Sequence, residues 1–134
     1  YWEAGPRTYL GLQVAGFPNL FTVTGPGSPS VLSNMLVSIE QHIDWIARCV
    51  ADLDQRGMRT IEATTAAEDE WIAHVNEVAQ NTMFTAQSCN SWYLGANIPG
   101  KPRIFMPYVG GVGVYREKCD EVASNDYQGF LLRA

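Results

Sequence analysis

The residues of this chain whose types and spacing could do chemistry fall in a few places. One is the turn Gly25-Pro26-Gly27, set between residues 17–24, rich in β-branched and aromatic side chains, and an amphipathic run that starts near Ser30. A strand–turn–helix unit of this kind points backbone N–H groups and the positive end of a helix dipole at whatever lies above the strand. Glycine there also lets a flat ligand approach the backbone closely. The turn is thus a candidate site for a cofactor oxygen or an anion, although a plain β–α connection uses the same residue types. Another is Trp92, in a stretch where Gly95, Pro99, Gly100 and Pro102 forbid a long regular element. A loop indole offers a flat face and one N–H donor, suited to a ribose, an amide or a phosphate, or it anchors the loop by burial. Lys101 and Arg103 are either phosphate neighbours of that indole or solvated side chains.

Other groups carry less. Gly110-Gly111-Val112-Gly113 lacks the third glycine of a dinucleotide fingerprint, since Arg116 stands where it would fall. Ser28 and Ser30 do not sit in a nucleophile-elbow motif. His42 and His74 have no metal-ligand spacing and lie beside apolar stripes, which reads as helix-flank histidine. Glu68-Asp69-Glu70 opens a helix, where carboxylates favour the dipole. Cys49, Cys89 and Cys119 form no CxxC or Cys/His grouping, so no metal site is expected and a reducing, cytoplasmic setting fits.

The elements that must position these residues follow from period and punctuation. Residues 1–15 read as extended connecting backbone around Gly5-Pro6 and Gly11, and residues 17–24 as a buried strand. A helix follows with Ser28 or Ser30 as N-cap candidates and Gly57 as its stop; Leu32, Met35, Leu36, Ile39, Ile43, Ile46, Val50 and Leu53 make its apolar stripe. Ile61 sits in a short extended piece. Thr65 with Glu68 forms a capping-box pattern before a second helix, through Trp71 and Val75 to about Asn81. A long loop, a helix through Tyr115, Cys119 and Val122, and an extended tail over residues 127–132 complete the chain.

At 134 residues, with 46% apolar and 17% charged residues and 15 aromatics, the chain is globular and is one domain or part of one. The uncharged run over residues 8–39 is broken by Gly11, Gly16, Pro18 and the 25–29 cluster, so no membrane-spanning helix is expected. Net charge is −5, and residues 40–77 hold nine acids against Arg48, Arg56 and Arg59. Without a basic stripe, nucleic acid is not an expected partner. The start Tyr1-Trp2-Glu3-Ala4 resembles neither a translation start nor a signal peptide, so the chain reads as a piece of something longer.

Several of these motifs also carry a resemblance. Gly16-Phe17-Pro18-Asn19-Leu20-Phe21, Gly25-Pro26-Gly27-Ser28-Pro29-Ser30, Ser33-Asn34-Met35, Ser38-Ile39-Glu40-Gln41-His42, Ser91-Trp92-Tyr93, Gly95-Ala96-Asn97-Ile98-Pro99-Gly100-Lys101 and Tyr108-Val109-Gly110-Gly111 together resemble the C-terminal part of flavin-dependent Baeyer–Villiger monooxygenases, the phenylacetone and steroid branch most nearly. The resemblance implies an α/β fold, the C-terminal portion of a flavoprotein with two dinucleotide-binding (Rossmann-like) domains, incomplete as a standalone domain. It implies FAD and NADPH as cofactors, a ketone and O2 as substrates, and insertion of one oxygen atom to give an ester or lactone.

The resemblance divides the chain into a strand–loop–helix at the flavin (1–57), a second helix (58–87), a mobile NADP-covering loop (88–109) and a C-terminal helix and tail (110–134). It makes Ser30, Val31 and Leu32 part of a bulge that shapes the ketone pocket. Met35 lies over the flavin's pyrimidine end, and Gly25 and Pro26 approach the cofactor. Trp92, Ser91 and Asn97 belong to the loop that folds over NADP as a lid. The family's two GxGxxG fingerprints and its catalytic arginine have no counterpart here, so the partner this segment implies is the remainder of the same enzyme. A non-catalytic relative, acting as a binding or packing module, is the rival reading.

Overall fold

The computed structural model describes residues 2–30, 32–80, 82–85, 91–95 and 98–134. Among the described residues there are three helices, α1 (Met35–Gln55), α2 (Thr65–Ala79) and α3 (Val112–Ser124), and a two-stranded antiparallel sheet of β1 (Thr60–Ala63) and β2 (Phe130–Arg133). Two single 3-10 turns, Met83–Thr85 and Trp92–Leu94, mark the long connection between α2 and α3.

Each helix boundary has a local cause. Asn34, not Ser28 or Ser30, caps α1: its Oδ1 accepts from the Leu36 amide at 3.0 Å. At the other end Gly57 adopts φ 67°, its N–H bonds to Asp54 O, and the Met58 N–H reaches back to Leu53 O at 2.8 Å. This paired closure satisfies the last carbonyls and needs a residue without a Cβ strain penalty. Helix α2 starts one residue before the capping-box pattern suggests, because Thr64 Oγ1 accepts from the Ala67 amide.

The displaced Glu68 is fully buried. It accepts from the Ala15 amide at 2.7 Å and pairs with Arg7 at 3.5 Å, while Arg7 also bonds Asp69. The acidic run therefore does more than favour a dipole; its first member pins the N-terminal segment onto α2.

That segment corrects a second expectation. Residues 8–15 are not a peripheral connection but the centre of the molecule, with Leu10, Leu12 and Gln13 among the most buried side chains. The Gln13 amide accepts from Ala63 N at 3.0 Å and donates to Ile61 O at 3.3 Å; Asn19 accepts from Ile61 N and donates to Arg59 O. Two side-chain amides thereby occupy the edge of β1 that β2 leaves open.

Residues 17–24 form turns with one isolated bridge between Gln13 and Phe21, not a buried strand. Left-handed Asn19 (φ 61°) and Thr24 (φ 54°) interrupt any ladder, and Phe17, Leu20 and Val23 face outward.

Helix α1 is rotated from its expected facing. The face turned inward carries Ser38, Gln41, His42, Trp45, Cys49 and Leu53, while Leu36, Ile43 and Val50, one heptad apart, are 69%, 52% and 52% exposed. Trp45 decides this: its ring packs edge-on to Tyr127 at 5.8 Å and beside Phe130, and its Nε1 donates to Cys119 O at 2.9 Å. An indole that is both packed and hydrogen-bonded outweighs several aliphatic groups.

Replacing Glu68 by Ala should leave the Ala15 amide without its acceptor and cost about 1–3 kcal/mol. Glu68→Gln, which keeps an acceptor, should cost less, as read from urea midpoints; equal losses would argue against the bond.

Candidate functional site

The turn at residues 25–28 is held from every side by the protein itself. Gly25 N donates to Gly11 O, Gly27 N to Met106 O at 2.5 Å and Ser28 N to Gly25 O; Pro26 O accepts from Thr8 Oγ1 and Gly27 O from Trp71 Nε1. The turn's amides are therefore spent internally, contrary to the expectation that they point at a ligand. A Cβ added at Gly25 would meet Gly11 O at 2.6 Å, and one at Gly27 would meet the Trp71 indole nitrogen at 2.9 Å. Close packing of protein on protein requires both glycines, so what faces outward lies further along, toward Ser30 and the start of α1.

Ser30 is half-buried, and Leu32, Met35 and Leu36 are exposed. The first turn of α1 carries no acidic residue, so its positive pole is not cancelled by a carboxylate. Val31 lies outside the described residues.

The loop meets this region directly. Tyr108 N donates to Ser28 O at 2.9 Å, and Pro29 and Tyr108 form a parallel bridge; Met106 N in turn donates to Tyr93 O, and Ile104 N to Leu94 O. Residues 28–29, residues 104–108 and the Trp92–Leu94 turn thus form one hydrogen-bonded layer. Trp71 stacks on Tyr108 at 5.5 Å and 21° beneath it, with His74 half-buried beside both rings.

Trp92 is 60% exposed, so it is not the loop's anchor. That role falls to Tyr93, packed edge-on to Phe84, and to buried Leu94 and Phe105. Ser91 precedes the turn, Lys101 and Arg103 are exposed, and Asn97 lies outside the described residues.

His42 departs most from its expectation. It is fully buried, its Nδ1 accepts from the Thr24 amide at 2.9 Å, and its Nε2 lies 2.7 Å from Tyr115 Oη, whose hydroxyl donates to Leu10 O. Because Tyr115 gives its proton to a carbonyl and Nδ1 is an acceptor, the ring is neutral with its proton on Nε2. Burial pulls the imidazole down to about 4 and pushes the Tyr115 phenol well above its ordinary range. Cys119 beside it is pushed up to about 12 by burial, which makes it an inert thiol. Among the described residues no His, Cys, Asp and Glu group could hold a metal.

No protein-family model matches this chain. Individual proteins do match. An acetone monooxygenase (methyl acetate-forming) of Gordonia sp. (strain TY-5) is 42% identical over 132 residues, 98% of this chain and 24% of the relative. A Baeyer–Villiger monooxygenase of Pseudooceanicola batsensis is 36% identical over 97% of this chain and 23% of its own length. Nearly the whole chain is similar to one segment of Baeyer–Villiger monooxygenases. A solved steroid monooxygenase, oxidised and bound to NADP, superposes with a TM-score of 0.87 at 49% identity, over 98% of this chain and 24% of that one. The chain spans about a quarter of the length of these monooxygenases.

The imidazole gives a pH dependence with a definite sign. The unfolded chain protonates His42 near its ordinary 6.5 but the folded one only near about 4. Its contribution to stability is therefore full above pH 6.5 and is lost as pH falls from there toward 4. His42→Asn should flatten the urea midpoint across that window relative to the parent chain.

Proposed function

We propose that this chain serves a flavin- and NADPH-dependent monooxygenase that inserts one atom of O2 into a ketone to give an ester or lactone. The observation that carries the reading is that the likeness to these monooxygenases runs along 98% of the chain, and that residues 28–29 at the end of the turn are hydrogen-bonded in one layer with residues 104–108 and the Trp92–Leu94 turn. FAD, when bound, supplies the redox chemistry that links NADPH and O2 to the ketone.

The residues present fit such a group. An exposed apolar patch of Leu32, Met35 and Leu36 adjoins a helix N-terminus free of carboxylates, which suits a flat ring with an electron-rich edge. Met35 covers that edge, while Ser30, Val31 and Leu32 line the ketone pocket and set its width. Gly25 and Pro26 hold the turn behind them at a fixed height. Trp92, with Ser91 and Asn97, closes over NADP and excludes water; an exposed indole carried by an anchored Tyr93 is built for such a contact. Neither GxGxxG fingerprint is among these residues, so reducing equivalents and nucleotide phosphates are handled by the rest of the enzyme.

A chimera tests the reading: these 134 residues replace the matching segment of the solved steroid monooxygenase. Flavin absorbance together with ketone-dependent NADPH consumption and ester formation is expected. A flavin-loaded chimera that forms no ester from any ketone would favour the packing-module alternative.

In the active chimera Trp92→Ala should raise the NADPH KM about tenfold, roughly 1.4 kcal/mol, and release more hydrogen peroxide while flavin content stays constant. Unchanged coupling would remove the lid role. Substituting Ser30, Val31 or Met35 should redistribute ketone preference with little change in the rate of flavin reduction; a change in flavin content alone would remove the pocket role.

A further inference from the structure

Two non-glycine residues flanking the candidate site have backbones in the left-handed region, Leu10 at φ 58° and Thr24 at φ 54°. Each sits there at a steric cost, and a β-branched threonine is an unusual occupant. Such outliers persist where the surroundings hold them. Here the holding groups are two side chains in series. The Thr24 amide donates to His42 Nδ1, His42 Nε2–H donates to Tyr115 Oη, and the Tyr115 hydroxyl donates to Leu10 O. The relay ties one helix, α1, to another, α3, and closes on the two turns that cradle Gly25.

Those turns depend on one another. Gly25 N bonds Gly11 O, Thr22 N bonds Leu12 O at 2.7 Å, and Thr22 Oγ1 also bonds Gly11 O. Thr24 is the last residue before the turn at residues 25–28, and His42 lies two helical turns beyond Met35. The Thr24–His42 bond is consequently the direct tie between the turn and the helix whose first residues line the candidate pocket.

We propose that His42 and Tyr115 are positioning residues for the flavin- and ketone-facing surface: by fixing the tautomer of one imidazole they hold Thr24 in its left-handed conformation and set the spacing between the Gly25-Pro26 turn and the start of α1. This rests on the function proposed above. Neither side chain touches substrate, since both are fully buried. Tyr115 selects the tautomer. Without its oxygen the Nε2 proton loses its acceptor, and the alternative tautomer would aim an Nδ1 proton at the Thr24 N–H.

The test uses the chimera and separates the two ends of the ring. Asn at position 42 offers an oxygen near the place of Nδ1 and keeps the tie to Thr24; Gln reaches toward Tyr115 instead and loses it. His42→Gln should raise the ketone KM about tenfold, while flavin content and the rate of flavin reduction by NADPH stay within about twofold. His42→Asn should stay near the parent, and Tyr115→Phe should follow His42→Gln. Adding Thr24→Asn to His42→Gln should recover most of the lost KM, because asparagine tolerates the left-handed region. A role in stability alone would not give that recovery.

A second readout needs no turnover. With 15N-labelled histidine, the resonance pair that disappears in His42→Asn should be that of a neutral ring protonated at Nε2, and it should change in Tyr115→Phe. Parent-like ketone KM in His42→Gln, or an Nδ1-protonated ring in the parent, would overturn the relay. A flavin-loaded chimera that forms no ester would instead refute the proposed function and leave the tautomer measurement to decide the relay.

Discussion

Strand β1 is hydrogen-bonded along both edges, but only one partner is a strand. Thr60 and Glu62 face β2, whereas Ile61 and Ala63 turn their backbone groups to the side-chain amides of Gln13 and Asn19. A two-stranded ribbon is marginal by itself, and an unpaired edge invites association with other chains. The two side-chain amides, one from buried Gln13 and one from exposed Asn19, remove both problems, and the first also fixes residues 8–15 in the middle of the molecule. From there the dependence runs outward. The segment presents Gly11 O to Gly25, Leu12 O to Thr22 and Leu10 O to Tyr115, so the turn behind the candidate site takes its position from a side-chain contact on a sheet edge.

Much of the architecture was legible in the residues. Gly57 stopped α1 where a left-handed closure was needed, Ile61 was extended, and the period of Trp71 and Val75 marked α2. The stretch before residue 16 was not legible, because its order comes from bonds to residues some fifty positions away, such as Gln13 to Ala63. Residues 17–24 misled for a related reason: β-branched and aromatic composition measures fitness for a pleated surface, and no such surface is offered there. Of the candidate site, the turn and the loop could be found by punctuation and resemblance. The role of His42 could not, since a histidine beside Trp45 on a helix looks the same whether its nitrogens face water, an amide or a phenol.

The glycines show how local chemistry can be right for a different cause. Gly25 and Gly27 suggested close approach of a ligand, and close approach is what they provide. The approaching atoms are Gly11 O and the Trp71 indole. The layer of Trp71, Tyr108 and Tyr115 rings beneath them then carries Pro29 and the 104–108 segment together.

Helix α1 buries serine, glutamine and histidine together with Trp45 and Cys49, and turns leucine, isoleucine and valine outward. The two faces lie about a third of a turn apart at roughly 100° per residue. During collapse an uncovered chain therefore has two competing ways to seat the same helix, and the aliphatic way is the one that simple hydrophobicity rewards first. The native seating is chosen by a few directional bonds, from Trp45 to Cys119 and from His42 to Thr24 and Tyr115, so its landscape is frustrated at this helix. A surface that covers Leu36, Ile43 and Val50 would act as a selector, removing the rival orientation by occupying the face that it needs.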